Sequence, residues 1–221
     1  MNMNNKWILL AALCLPLLFA SCQSQSSKPL TGTVDEHDWV DLGLSVKWAT
    51  CNVGAEKPEA AGDYYAWGVL DKGKKYDWDS YKWGTKDNLT KYNPNKYYGK
   101  TDTKTVLVNG DDAAYRKWGK SWRMATKDEW EELYEKCTWE WTGEGYRITG
   151  PSKQSIFLPA AGVRDEGSKA TPGIGYYWTS ALNTNHPTMA HIIKFNEKGC
   201  SMDSYIRCSG LLIRPVLVEE Q

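Results

Sequence analysis

The clearest periodic pattern in the chain follows Thr126, where apolar residues recur every three or four positions. Thr126 and Glu129 have the spacing of a capping box, in which each side chain accepts a backbone N–H at the start of a helix. The pattern therefore predicts an α-helix that begins after Thr126. The positions of its apolar face are Trp130, Leu133, Tyr134 and Cys137.

A second, shorter helix is predicted to begin at Asp111-Asp112 and to end at Gly119. Acidic residues favour the first turn of a helix, so a helix start explains this acidic pair better than a catalytic carboxylate site does. The predicted inward positions are Ala114, Tyr115 and Trp118.

Elsewhere, short runs rich in β-branched and aromatic residues lie between Gly, Pro and Asn, the pattern of short strands. Two helices with many short strands indicate an α+β fold with a mainly antiparallel sheet. The predicted strands are Val46–Asn52, Gly62–Trp67, Tyr146–Thr149, Ile156–Pro159, Tyr176–Thr179, Met189–Phe195 and Leu211–Val216.

The segment from Asp71 to Asn109 has no sustained period, yet it is dense in Tyr and Trp. Disordered segments lack aromatic residues, and a loop of this length inside a compact domain is usually functional. We expect a packed excursion that Trp78, Tyr81 and Trp83 attach to the body of the domain.

The N-terminus carries one base, Lys6, followed by an apolar run from Trp7 to Ala20 that is too short to span a bilayer. It has the length of a signal-peptide core. The stretch Leu18–Cys22 resembles the lipobox of bacterial lipoproteins, an ordinary signal peptide cut nearby being the alternative. We predict a signal peptide over residues 1–21, a lipidated Cys22 with a flexible tether over 22–34, and a single domain over 35–221.

The whole chain has 27 basic and 27 acidic residues. Such a balance argues against a nucleic-acid partner, because phosphate binding depends on a basic excess. The expected partners are the membrane, through the lipid, and a glycan or protein ligand. The expected location is the outer membrane of a Gram-negative bacterium. The lack of acids after Cys22 favours its periplasmic face, and the cell-surface face stays open.

Several phrases, taken together and in order, resemble the Fibrobacter major paralogous domain family over roughly Trp39 to Val216. They are Trp39–Leu44, Lys47–Gly54, Gly62–Gly68, Leu89–Asn93, Asp111–Ala114, Trp118-Gly119, Trp122–Met124, Cys137–Trp139, Ile156–Gly162, Tyr177–Ser180 and Arg214–Val216. Ala125 stands where this family usually has Pro.

The resemblance implies a C-type-lectin-like fold, also found in sulfatase-modifying factors, with two helices, a small sheet, long loops and paired N- and C-terminal strands. It places Val40–Trp48 beside Leu211–Val216. It also implies a ligand surface in the C-terminal third, whose candidate residues are Asn183, Asn185, His186, Met189, His191, Asp203, Tyr205 and Arg207.

Enzyme motifs are missing from the sequence, which has three His and none of the HExxH, GxSxG, GxxxxGK[ST] or GxGxxG patterns. We expect no catalytic residues, no metal ligands and no cofactor. Structural calcium stays open without a ligand spacing to support it. The Cys200 and Cys208 pair does not match the reactive cysteines of formylglycine-generating enzymes.

Cysteine pairing is predicted from the exported compartment, which permits disulfides. Cys200 and Cys208 are a candidate disulfide if the chain makes a hairpin around Asp203-Ser204. Cys51 with Cys137 is a second candidate, and buried free thiols are the alternative.

Aromatic residues are more numerous than a core needs, with 12 Trp and 13 Tyr. Tyr76, Tyr92, Tyr97 and Tyr98 lie in polar loop context, and the last two are candidate ligand contacts because a rigid amphipathic ring binds with little entropy loss. The sequence thus predicts a non-enzymatic lipoprotein that recognises a glycan or protein. The competing hypothesis is a structural or accessory subunit of an envelope or surface-filament assembly.

Overall fold

A computed structural model describes residues 29–166 and 170–218 of the chain. The predicted lipidation site, Cys22, and the predicted signal peptide over residues 1–21 lie outside these residues. The described residues form a mixed, mostly sheet structure with two α-helices. The strands are β1 (Thr31–Val34), β2 (His37–Val40), β3 (Lys47–Ala49), β4 (Gly84–Thr85), β5 (Asn88–Leu89), β6 (Trp122–Met124), β7 (Thr138–Trp141), β8 (Gly145–Thr149), β9 (Ser155–Pro159), β10 (Ile174–Leu182), β11 (Met189–Asn196), β12 (Gly199–Ile206) and β13 (Pro215–Leu217). The helices are α1 (Ala113–Trp118) and α2 (Lys127–Lys136).

Helix α2 confirms the pattern found after Thr126. The Thr126 hydroxyl accepts the Glu129 N–H at 3.2 Å, and the Glu129 carboxylate accepts the Thr126 N–H at 2.8 Å. Trp130 and Leu133 are fully buried, as predicted. Tyr134 is 46% exposed, which corrects its assignment to the core face, because the helix buries a narrower stripe than the pattern suggested.

Helix α1 also begins and ends where the sequence predicted. The Asp112 carboxylate accepts the N–H groups of Ala114 and Tyr115 and also that of Met124 on β6. This buried acid is therefore a helix cap, and it ties α1 to the sheet.

Four antiparallel sheets make up the strand layer. The largest has the order β1-β2-β3-β13-β6, and the others are β10-β11-β12, β7-β8-β9 and the short pair β4-β5. Strand β13 pairs with β3, Val216 opposite Trp48. The predicted pairing of N- and C-terminal segments is thus confirmed.

Three sequence-based assignments need correction. Of the predicted strand Leu211–Val216, only Pro215 and Val216 lie in a strand, β13. Thr31–Val34, assigned to the flexible tether, forms strand β1 and pairs with β2 along its whole length. Thr31, Thr33 and Val34 are β-branched, and the alternating exposure along this segment suits a strand at a sheet edge. Gly62–Trp67 is not a strand, because its only ladder contact is an isolated bridge between Tyr65 and Leu211.

Most of the tryptophans are buried in two clusters. One contains Trp48, Trp130 and Tyr177, and the other contains Trp67 and Trp178. The tryptophans of the family-like phrases lie in these clusters, with Trp139 only half-buried at the edge of the first.

The excursion over residues 71–109 is attached as predicted. The Tyr81 hydroxyl donates to the Trp67 carbonyl at 2.7 Å, and the Trp83 indole N–H donates to the Gly68 carbonyl at 2.8 Å. The Trp78 ring packs edge-on against Tyr81. Within the described part of the chain, no helix has the length and apolar character needed to cross a membrane.

Candidate functional site

The tyrosines predicted to be exposed divide into two groups. Tyr97 is 82% exposed at a short 3-10 turn, and its neighbour Tyr98 is half-buried. Tyr76 and Tyr92 are buried, contrary to the prediction. Their hydroxyls explain this, since Tyr76 donates to the Tyr64 carbonyl and Tyr92 donates to the Asp111 carboxylate.

Arg207, predicted as a ligand contact, is fully buried. Its guanidinium donates to the Tyr81 hydroxyl at 2.8 Å and to the carbonyls of Lys91, Tyr92 and Pro187 at 2.7, 3.0 and 2.9 Å. It therefore organises the loops around it and is not available to a ligand.

The loop after β10 is held by Asn183, another predicted contact. The Asn183 side-chain oxygen accepts the N–H groups of Asn185 and His186, and its amide donates to the Ser204 hydroxyl at 2.9 Å. Ser204 also bonds the His191 ring at 3.2 Å. Burial and the nearby Lys127 lower the pKa of His191. Met189, half-buried, donates its N–H to the His186 carbonyl.

The remaining predicted contacts face the other side of the sheet. Asp203 pairs with Ile192, and the register places Ser204 opposite His191. Because neighbouring residues of a strand point to opposite faces, Asp203 and Tyr205 lie away from His191. The Tyr205 hydroxyl donates to Asp165 at 2.6 Å. The predicted set is therefore split and does not form one site.

The disulfide predicted between Cys200 and Cys208 is wrong. Cys200 lies near the start of β12 and Cys208 lies after its end. The chain was expected to fold back at Asp203-Ser204, but β12 continues extended through these two residues. The six strand residues between the two cysteines, 201–206, hold them far beyond the roughly 7 Å that a disulfide allows. Cys51 and Cys137 are also free thiols.

A site that the sequence did not indicate lies where the β1–β2 hairpin meets α1. Asp35 and Glu36 connect the strands with φ angles of 49° and 66°. Two left-handed residues are typical of a tight type I′ turn, which usually contains Asn-Gly. The turn is thus strained, and it places His37 at the start of β2 directly over α1.

His37 stacks on Trp118, with ring centroids 3.7 Å apart and an angle of 11° between the rings. Burial lowers the pKa of His37, and the nearby Glu36, Asp35 and Asp38 oppose this shift. The imidazole is therefore a flat, partly covered ring whose neutral form the fold favours.

Asp63 contributes a partly exposed carboxylate to the same region of the surface. It accepts a hydrogen bond from Lys72 at 3.0 Å. Gly54 makes this approach feasible, since a Cβ at that position would lie 2.6 Å from the Asp63 carboxylate oxygen. Burial, with Asp63 close by, raises the pKa of Tyr65, so its hydroxyl stays protonated.

These groups line a concave space of about 520 Å³, which we call the His37 cleft. A second ion pair, Lys117 with Asp71 at 3.6 Å, stands at its rim, where Asp71 is exposed. The cleft is lined by His37, Val53, Gly54, Asp63, Tyr65, Asp71, Lys72, Lys117 and Trp118.

The chemistry of the cleft suits binding. Two carboxylates and two ammonium groups face one space with aromatic rings beside them. Exposed ion pairs of this kind are worth only about 0–1 kcal/mol, so a polar ligand can insert between their members at small cost. Within residues 29–166 and 170–218, no cluster of three or more His, Cys, Asp or Glu side chains is placed to hold a metal.

Comparisons of this chain with protein-family models, with curated proteins and with solved structures found no significant match.

Proposed function

We propose that the chain is a non-enzymatic, outer-membrane-anchored lipoprotein that binds a glycan in the His37 cleft. The lipobox-like Leu18–Cys22 supports the anchor, and the resemblance to the Fibrobacter major paralogous domain family supports a C-type-lectin-like fold. Two helices, small antiparallel sheets and paired terminal segments agree with that fold. Lipidation is tested by Cys22→Ser, which should move the chain from the detergent phase to the aqueous phase on Triton X-114 partition.

The observation that carries the proposal is the Asp63–Lys72 pair. An acceptor and a donor 3.0 Å apart face the cleft together. A sugar hydroxyl both donates and accepts, so two neighbouring hydroxyls can give one hydrogen bond to Asp63 and take one from Lys72. Hydrogen bonds to charged groups are about twice as strong as neutral ones.

The aromatic residues add a second kind of contact. The C–H face of a pyranose ring packs well against an aromatic face, through dispersion and the negative charge of the π system. His37, backed by Trp118, supplies a ring for this contact, whereas the Tyr65 ring that also lines the cleft is buried. Two acids and two bases balance the charge, which favours a neutral polyhydroxylated ligand over a phosphate-rich one.

The proposal is tested on a glycan array with the mature chain in detergent, with and without a calcium chelator. We expect a specific saccharide signal that Asp63→Asn reduces at least tenfold. The matched control is Asp87→Asn, the same change at an exposed turn residue outside the cleft. Loss of the signal with chelator would implicate calcium. No specific signal, or equal binding by Asp63→Asn, would overturn the proposal.

Tyr97→Ala separates the cleft from the surface that the sequence predicted. Tyr97 is the most exposed large hydrophobic side chain among the described residues, so its truncation should leave the fold intact. We expect unchanged saccharide binding. A loss that matches Asp63→Asn would place the ligand on the loop surface instead.

A second candidate function is an accessory subunit of an envelope assembly. It is favoured by the exposed apolar side chains of one stretch of the excursion, Tyr97, Val106 and Val108. Exposed apolar patches often mark protein contacts, and Val106 and Val108 are two residues apart on one short segment. If this function is correct, Val106→Ser and Val108→Ser should abolish co-purification of a stoichiometric partner from the native membrane. Unchanged recovery of the partner would reject it.

A further inference from the structure

We infer that the chain has a second saccharide site, built around Trp141 and independent of the His37 cleft. The inference shares the ligand class of the proposed function but none of its residues. Three turns meet at this place: the one after β7, the one before β10 and the one between β11 and β12. They enclose a space of about 520 Å³, which we call the Trp141 cleft.

Trp141 forms one wall and is held in place from behind. It ends the edge strand β7 and pairs with Tyr146 on β8. The Tyr146 ring meets the indole edge-on, with centroids 5.1 Å apart. The Tyr146 hydroxyl donates to the Asn196 carbonyl at 3.0 Å, which fixes the indole relative to the β11–β12 turn. The half-exposed indole therefore presents a preformed stacking surface.

Two glycines keep the floor of this cleft open. Gly143 and Gly173 have φ angles of 99° and 104°, and a Cβ built on either meets no atom within 4 Å. The positive φ angles account for glycine at both positions, and the space that a Cβ would enter is open. Bare backbone beside an indole lets a flat ring approach closely, which a larger residue would prevent.

Polar groups stand at the opposite side of the cleft. The Asn196 side chain accepts the Lys198 N–H at 2.9 Å, which shapes the turn so that Glu197 and Lys198 both project into solvent. An acid and a base beside an indole repeat the combination found in the His37 cleft. Pro172 and Ile174 supply the small apolar part of the lining of the Trp141 cleft. The chemistry fits a pyranose ring, stacked on Trp141 and bonded at its hydroxyls.

Two sites on one folded unit predict stronger binding to a polymer than to its fragments. Once one site holds a chain, the second binds at a high effective concentration. A repeating polysaccharide presents the same sugar unit many times along one molecule, so this ligand class offers a ligand to both clefts.

The test is calorimetric titration of the mature chain, in detergent, with cellohexaose, xylohexaose, mannohexaose and chitohexaose. We expect one of these probes to occupy two sites in the wild type and a single site in Trp141→Ala. Because Trp141 packs on Tyr146, its truncation could also disturb the fold. Glu197→Ala, which changes an exposed turn residue, provides a second variant and should weaken the same site at least fivefold. Its control is Glu135→Ala on the exposed face of α2.

The outcomes separate this inference from the proposed function. Loss of one site in Trp141→Ala or Glu197→Ala supports the Trp141 cleft, whatever Asp63→Asn does. If Asp63→Asn alone removes binding and both Trp141-cleft variants bind as the wild type does, the second site is rejected and the first stands. Absence of titration by all four probes would also overturn the inference.

Discussion

His37 lies flat against Trp118, with ring centroids 3.7 Å apart. The stack joins the first residue of β2 to the last residue of α1, and Trp118 in turn packs edge-on against Trp122 of β6. The wall of the His37 cleft is therefore braced by three elements. A ring held this way can contact a ligand without losing much conformational freedom.

Acid should destabilise the fold through its histidines. The pKa values of His37 and His191 lie below their ordinary value of 6.5, both mainly because of burial. Below pH 6.5 the unfolded chain therefore binds more protons than the folded chain. The free energy of unfolding thus decreases as the pH decreases. We expect urea denaturation to show lower stability at pH 5 than at pH 7.5.

The contribution of His37 is isolated by His37→Gln, compared with His186→Gln in the exposed loop. We expect a smaller loss of stability between pH 7.5 and pH 5 in His37→Gln than in the wild type, and an unchanged loss in His186→Gln. An equal loss in wild type and His37→Gln would contradict the assignment of a depressed pKa to this ring.

The β1–β2 turn should gain stability from the residues that its geometry favours. Asp35 and Glu36 both have positive φ, and a left-handed conformation costs roughly 1–2 kcal/mol for a residue with a side chain. Asp35→Asn with Glu36→Gly installs the preferred pair. We expect the free energy of unfolding to rise by about 1 kcal/mol in urea titration. A decrease would show that the two acids contribute contacts worth more than the strain.

Arg207 should act on stability and only indirectly on binding. Its removal leaves the Tyr81 hydroxyl and the carbonyls of Lys91, Tyr92 and Pro187 without their donor. Each unsatisfied buried group costs about 1–3 kcal/mol, so Arg207→Ala should lose at least about 3 kcal/mol on urea unfolding. A variant as stable as the wild type would return Arg207 to the list of ligand residues.

The thiols of Cys137, Cys200 and Cys208 should be free and slow to react. Burial raises the pKa of Cys200 and of Cys208 to about 12, and that of Cys137 to about 11. Little thiolate forms at pH 8, so we expect slow reaction with Ellman's reagent in the native state and rapid reaction in guanidinium. A peptide map with Cys200 linked to Cys208 would contradict the straight course of β12.

The sequence predicted those parts of the fold that depend on local signals. The capping box at Thr126, the cap at Asp112 and the stop at Gly119 act through neighbours in the chain, and both helices formed as predicted. The hairpin around Asp203-Ser204 failed because β12 continues through residues that individually suit a turn. Its partner β11, and not its own composition, keeps it extended.

The site was harder to predict because its parts come from distant segments. His37 and Trp118 meet only through the packing of β2 against α1, and no spacing in the sequence records that contact. Strand β1 leads into the turn that precedes His37, but its sequence has the polar composition of a flexible tether. The sequence carried one local signal of the site. The loop between Gly54 and Asp63 brings these two residues together, and a Cβ at position 54 would collide with the Asp63 side chain.

The most direct test of the account uses the three histidines of the chain as reporters. Long-range ¹H–¹⁵N spectra of the imidazoles are recorded while the best saccharide from the array is added. The account predicts that the His37 ring resonances shift and saturate with the binding curve, while those of His186 and His191 stay in place. Shifts at His186 or His191 with an unmoved His37 would contradict it and would place the ligand on the C-terminal loops.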